Sequence, residues 1–302
     1  MVILKSIKMN RLFIVVCTFL CGQFLLSQEV NQLSKDARGR DMILGEITKE
    51  GFTENSFNTW FSKNYDAYTP DATIVQKLER KLKKYTITVF MGTWCGDSKR
   101  EVPRLYKILE TANFPEAQLR IIGVNNARSA YKQAPNGEEK GLNIHRVPTF
   151  IVYNKRGKEI GRIVEHPVES LEADLLKICR KKSYEHNYQI VTQLDNIIQK
   201  KGTEYVTEHL AKVTQKLQPY AKSLKELNTY GYVLLRAKAT AKAITAFTVN
   251  TKLFPNDKNS FDSLAEAYFS VKDYKNASKY YTKVLEIDAN DVNAKKMLAQ
   301  MQ

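Results

Sequence analysis

Apolar positions along the chain follow two periods, and the switch between them divides it. Tyr85 to Met91 (YTITVFM) and Leu119 to Val124 (LRIIGV) are short, β-rich and largely apolar, which predicts strands covered on both faces. Thr149 to Tyr153 and Glu159 to Val164 flank a short turn containing Gly157, the pattern of a β-hairpin. Helical spacing runs from about Asp97 to Thr111, and again from about Pro167 to Lys181 through Leu171, Leu175, Leu176 and Ile178. Strand, helix, strand, hairpin, helix predicts a small α/β domain with a mixed sheet over residues 84–182. Upstream, Phe57, Trp60 and Phe61 share one helical face and Val75, Leu78 and Leu82 another, with Pro70-Asp71 where the second helix would start. Residues 29–84 are therefore expected to be a helical extension of two helices.

Beyond residue 182 only the helical period remains. A polar helical linker is expected over 183–224, with Tyr188, Val191, Leu194, Ile197 and Ile198 recurring at helical spacing. A repeat follows. Leu227, Tyr230, Gly231, Leu234, Ala243, Phe247, Asn250 and Pro255 are matched 34 residues later by Phe261, Leu264, Ala265, Tyr268, Ala277, Tyr281, Val284 and Ala289. This period, with large residues set against Gly or Ala, resembles the tetratricopeptide repeat, although Ala289 stands where that family usually has Pro. The resemblance implies an all-α repeat domain over 225–302: repeats at about 224–257 and 258–291, and a terminal helix at 292–302 covering the last repeat.

The N-terminus changes how charge is read. Lys5, Lys8 and Arg11 precede the apolar run Leu12 to Leu26, and polar Ser27 and Gln28 follow. A basic stretch, an apolar core of about 15 residues and a polar exit describe a secretory signal peptide over 1–28, and the run is short for a membrane span of roughly 20 residues. An exported protein in the periplasm or cell envelope is expected, touching membrane only through this segment. The chain has 47 Lys+Arg against 32 Asp+Glu, a net charge of +15. In an exported protein that excess means a solvated basic face or attraction to acidic surfaces, and nucleic acid is not an expected partner. Cys17 and Cys21 fall in the signal segment, so Cys95 and Cys179 remain, too few for a disulfide framework.

Cys95 stands in Thr93-Trp94-Cys95-Gly96-Asp97-Ser98, between a predicted strand and a predicted helix. There its sulfur would face the first free N–H groups of the helix, whose partial positive charge favours thiolate. Lys99 and Arg100 would add to that effect and Asp97 would oppose it. The Trp94-Cys95-Gly96 turn, Pro103 eight residues after Cys95, and Val147-Pro148-Thr149 opening the later hairpin together resemble the thioredoxin-like superfamily, in particular exported bacterial thiol-disulfide oxidoreductases. The resemblance covers residues 84–182. It implies a cis Val147-Pro148 bond beside the sulfur, with the backbone of Val147 pairing with a disulfide substrate and Trp94 and Gly96 shaping the site. A Val-Pro step is also the type of bond that adopts cis at low cost.

Two departures limit the chemistry that the resemblance implies. Ser98 stands where most members have a second cysteine, and Val89 where many have a buried acid. Without a resolving thiol, Cys95 can attack a disulfide but cannot release itself by closing an internal one. One-thiol chemistry is therefore expected, with Cys95 as nucleophile and Ser98 hydrogen-bonding its thiolate. The expected partners are a protein client or redox partner joined through a mixed disulfide, and a peptide or protein docked on the repeats. Cys179, on an apolar helix face, reads as an inert small hydrophobe. His145 is either a solvated loop residue or a proton donor near Cys95. His166, His186 and His209 have no ligand spacing, so neither a metal nor a cofactor is expected. The alternative is a redox-inactive scaffold of the same two folds.

Overall fold

The computed structural model describes residues 30–54 and 56–301; the expected signal segment lies outside the described residues. Six strands form one sheet in the order β1-β2-β4-β3-β5-β6. They are β1 (Gln32–Lys35), β2 (Asp41–Ile47), β3 (Tyr85–Met91), β4 (Leu119–Gly123), β5 (Thr149–Asn154) and β6 (Glu159–Val164). The β3/β4 pair is parallel, with Val89 opposite Ile121, and every other pairing is antiparallel. The sheet is mixed, as the strand–helix–strand–hairpin order requires.

The segment read as purely helical before residue 84 is instead a β-hairpin followed by α1 (Lys49–Thr53), α2 (Asn58–Asp66) and α3 (Ala72–Leu82). Strand β2 buries Met42, Ile43 and Ile47 and closes the open edge of β4. That pairing is non-local, and β1 is short and polar, so helical spacing further along outweighed a weak strand pattern. The central strands feed two cores because side chains alternate across a sheet. Ile87, Val89, Met91, Ile121, Phe150 and Val152 face the larger core, with α1–α3, α4 (Gly96–Thr111) and α5 (Leu171–Cys179). Phe90, Ile122 and Ile151 face the other way, under the non-helical stretch 124–148, which contributes Val124, Ala134, Ile144 and Val147.

The helix-rich region continues with α6 (Gln189–Glu208, broken at Gly202), α7 (Leu210–Leu217), α8 (Leu224–Arg236), α9 (Thr240–Leu253), α10 (Lys258–Ser270), α11 (Tyr274–Ile287) and α12 (Val292–Ala299). Side-chain oxygens of Ser223, Asp257, Asp273 and Asp291 cap α8, α10, α11 and α12, satisfying N–H groups that a helix start leaves free. Gly231 lets α8 approach α9: a Cβ there would lie 2.5 Å from the Phe247 ring. Their counterparts 34 residues later, Ala265 and Tyr281, are buried together in the next helix pair. The architecture is a mixed-sheet α/β domain followed by helices consistent with a helical repeat domain.

The two parts meet on the 124–148 stretch. His145 lies between the rings of Tyr188 and Tyr230, each centroid 6.0 Å away. Arg146 donates to the Lys225 carbonyl at 3.1 Å, and Arg128 pairs with Glu266 on α10. Among the described residues no helix is long and apolar enough to cross a membrane.

Candidate functional site

Strand β3 ends at Met91, and a tight turn closes when the Cys95 N–H donates to the Gly92 carbonyl at 2.9 Å. Cys95 is the N-cap of α4, with extended backbone (φ −92°, ψ 129°). Its own carbonyl accepts the Lys99 N–H at 3.0 Å. The sulfur thus sits at the positive end of the helix dipole. Cys95 is partly exposed, and its thiol donates to the Val147 carbonyl at 3.2 Å. The Val147-Pro148 bond is cis, and both residues are buried while Gly96 is exposed.

Neighbouring side chains hold this turn. The Trp94 indole N–H donates to the Val124 carbonyl at 2.8 Å, and its ring lies 6.2 Å from that of Tyr131. Position 92 has to be glycine, since a Cβ there would fall 2.4 Å from the indole. Thr93 Oγ1 accepts the Ile43 N–H at 3.1 Å, tying β2 to the turn. Ser98 is fully buried and its hydroxyl accepts the Gly92 N–H at 3.2 Å, joining the turn to the first turn of α4. Val89, at the position of the missing acid, is wholly buried in the larger core.

Three electrostatic expectations change. Arg100 is held by Asp97 at 2.7 Å and Glu101 at 2.6 Å, and the Lys99 ammonium lies 5.9 Å from the Trp60 ring centroid. Both cations thus have other groups beside them, and the opposing charge of Asp97 is met by Arg100. His145 is neither solvated nor a proton donor. It is 2% exposed, its Nε2 has no partner, and burial pushes it down to about 3, so it is neutral at ordinary pH.

Cys179 belongs to the larger core, and Cys95 packs against the other one, so the sheet lies between the two thiols. Burial pushes the Cys179 thiol up to about 12, which leaves it protonated and inert. Among the described residues no group of His, Cys, Asp and Glu could hold a metal ion. Thr93, inside the motif, ties the turn to β2, and two residues that spacing does not mark border it: Tyr131 on Trp94 and Lys132 on Tyr131. The last two come from a polar stretch with no period.

Residues 52–176 match the family described as Thioredoxin. This domain is thioredoxin-like. The match begins in α1 and ends within α5, so the β-hairpin and the C-terminal helices lie outside it. Solved structures similar to the chain include a protein of unknown function from Pseudomonas aeruginosa, 15% identical, covering 45% of this chain and 92% of its own, with a TM-score of 0.34. An HIV epitope scaffold is 16% identical, covering 41% of this chain and 82% of its own, with a TM-score of 0.30. No curated protein matches the chain.

Proposed function

We propose that the thioredoxin-like domain carries out mixed-disulfide exchange with Cys95 as its single nucleophile. The reading is supported above all by one arrangement: a partly exposed sulfur at the N-cap of α4, 3.2 Å from the Val147 carbonyl at a cis-proline turn. In the first step the Cys95 thiolate attacks one sulfur of a substrate disulfide. A Cys95–substrate disulfide forms, the substrate S–S bond breaks, and the other sulfur leaves as a thiolate that takes up a proton. In the second, a small thiol of the glutathione class, as its thiolate, attacks the substrate sulfur of that mixed disulfide: a disulfide between the small thiol and the substrate forms and the Cys95–substrate bond breaks. Cys95 is released as thiolate and the electrons come from the small thiol. Ser98 and Val89 supply neither an internal resolving thiol nor a buried acid, which is why an external thiol is needed. Within this reading Ser98 keeps the turn rigid through Gly92 and offers its hydroxyl proton to the charged sulfur, while Trp94, Gly96, Val147 and Pro148 receive the substrate.

We read the C-terminal helices as tetratricopeptide repeats that dock a protein partner, and the protein as exported on the strength of its N-terminal pattern. A groove of about 350 Å³ supports the docking role. It is lined by Arg128 and Tyr131 on one side and by Asn228, Tyr232, Arg236 and Glu266 on the other, and Tyr131 packs against Trp94. A client held there lies beside the cysteine. A glutathione-coupled assay on a mixed-disulfide substrate tests the enzyme reading: wild type turns over and Cys95→Ser does not. Equal rates would leave the scaffold reading, with the same groove as its binding face.

A further inference from the structure

Lys132 is 4% exposed, and lysines are almost never so enclosed without an acidic partner. Among the described residues no ion pair holds it. Its ammonium donates to the His145 carbonyl at 2.7 Å and lies 4.5 Å from the Tyr131 ring centroid. Its backbone sits in the left-handed region (φ 59°), fixed by the Lys132 N–H to the Asn125 carbonyl at 2.8 Å and the Asn125 N–H to the Gln133 carbonyl at 2.9 Å. Left-handed backbone is uncommon outside glycine, and these two bonds hold the residue in it.

Two links join this ammonium to the sulfur. The His145 carbonyl that takes the ammonium and the Val147 carbonyl that takes the thiol belong to one short stretch of backbone. The Tyr131 ring beside the ammonium packs in turn on Trp94, the neighbour of Cys95. Lys132 and Cys95 lie within electrostatic reach of each other, and of Arg146 and Glu165. Glu165 is bound by Arg146. Lys132 also borders a cavity of about 250 Å³ against the helical region, whose carboxylates include Glu139 and Asp195. Glu139 accepts the Ala134 N–H, and Asp195 accepts from Tyr230 and Gln199.

We propose that Lys132 is a positioning residue for Cys95: its ammonium supports the His145–Pro148 turn against the sulfur, and its positive charge favours the thiolate. The proposal rests on the reading of Cys95 as nucleophile. It gives the site a buried cation, whereas Arg100 is paired with Asp97 and Glu101. Burial first, then Arg146, draw Lys132 down to about 7, while Cys95 and Glu165 draw it up. With the pull of Cys95 and Glu165 included, the charge is therefore present below about pH 7 and fades above it.

The test is the rate of Cys95 alkylation by iodoacetamide from about pH 6 to 9, in the Cys179→Ala protein with Lys132, Lys132→Arg, Lys132→Gln or Lys132→Met. At about pH 6.5 the Gln and Met variants should react roughly five- to tenfold more slowly, converging with wild type at high pH, and Arg should stay within about twofold. Gln keeps a donor for the His145 carbonyl, so its loss of rate isolates the charge. A folded Gln variant that reacts like wild type, or a ratio independent of pH, would overturn the proposal. A reciprocal measurement avoids any change at Lys132: by side-chain NMR, its proton should leave at lower pH in Cys95→Ala than in wild type, and an unchanged midpoint refutes the coupling. A Cys95 that alkylates in no protein sinks the nucleophile reading instead.

Discussion

Acid should loosen the junction between the two parts of the molecule through one side chain. His145 is enclosed between Tyr188 and Tyr230; its Nδ1–H donates to the Asn143 carbonyl at 3.1 Å, and Nε2 is unpartnered. Burial, then the nearby charges of Lys132 and Arg146, outweigh the Asn143 bond and lower it from 6.5 to about 3. The unfolded chain binds a proton at His145 below about pH 6.5 and the folded one does not, so stability falls as pH drops through the interval from 6.5 to 3. Each pH unit in that interval costs about 1.4 kcal/mol, or about 2 kcal/mol at pH 5. His186, also lowered by burial, acts in the same direction and has to be separated. Urea unfolding of wild type and His145→Phe at about pH 7, 6 and 5 does so. The lost Asn143 bond shifts the variant by a constant, whereas the change with pH isolates the titration. Wild type should lose about 2 kcal/mol more than the variant between pH 7 and 5. Equal losses would refute the reasoning, because His145 would then have to bind its proton as readily in the folded protein.

Three further outcomes can be checked. Gly231→Ala should destabilise the protein by about 1–3 kcal/mol in chemical unfolding, since its Cβ would press into the Phe247 ring at 2.5 Å; an unchanged midpoint would mean that α8 and α9 separate freely. Cys179 should resist alkylation in the folded protein and react on unfolding, followed by peptide mass mapping, because burial keeps its thiol protonated. Ser98→Cys should create dithiol reductase activity in an insulin-type reduction assay, and no gain would point to the apolar Val89 as the true limit on a dithiol cycle.

The parts legible in the sequence are those whose signal is local. Tyr85–Met91 and Leu119–Gly123 announce themselves by composition, the Gly157 turn by its flanking strands, and the paired helices by residues recurring 34 positions apart. The Trp94–Cys95 turn is legible because a strand end and a helix start bracket it. The β1–β2 hairpin is not, because β2 is defined by the β4 edge it covers rather than by its own alternation. Nor could spacing show that Lys132 and His145 are buried. Both lie in the stretch 124–148, which has no period and is shaped by the core beneath it and the helices above it. Distance along the chain places Lys99 and Arg100 near the sulfur, but it does not show that Asp97, Glu101 and Trp60 lie beside them in space.

The central claim is that Cys95 forms a covalent disulfide with a substrate and keeps it until another thiol arrives. Intact-mass spectrometry after brief exposure of residues 29–302 to glutathione disulfide tests it directly. The account predicts one glutathionyl group on wild type, mapped to Cys95, removed by added glutathione and absent from Cys95→Ser. A protein that gains no adduct, or gains it equally in the Cys95→Ser variant, would contradict it.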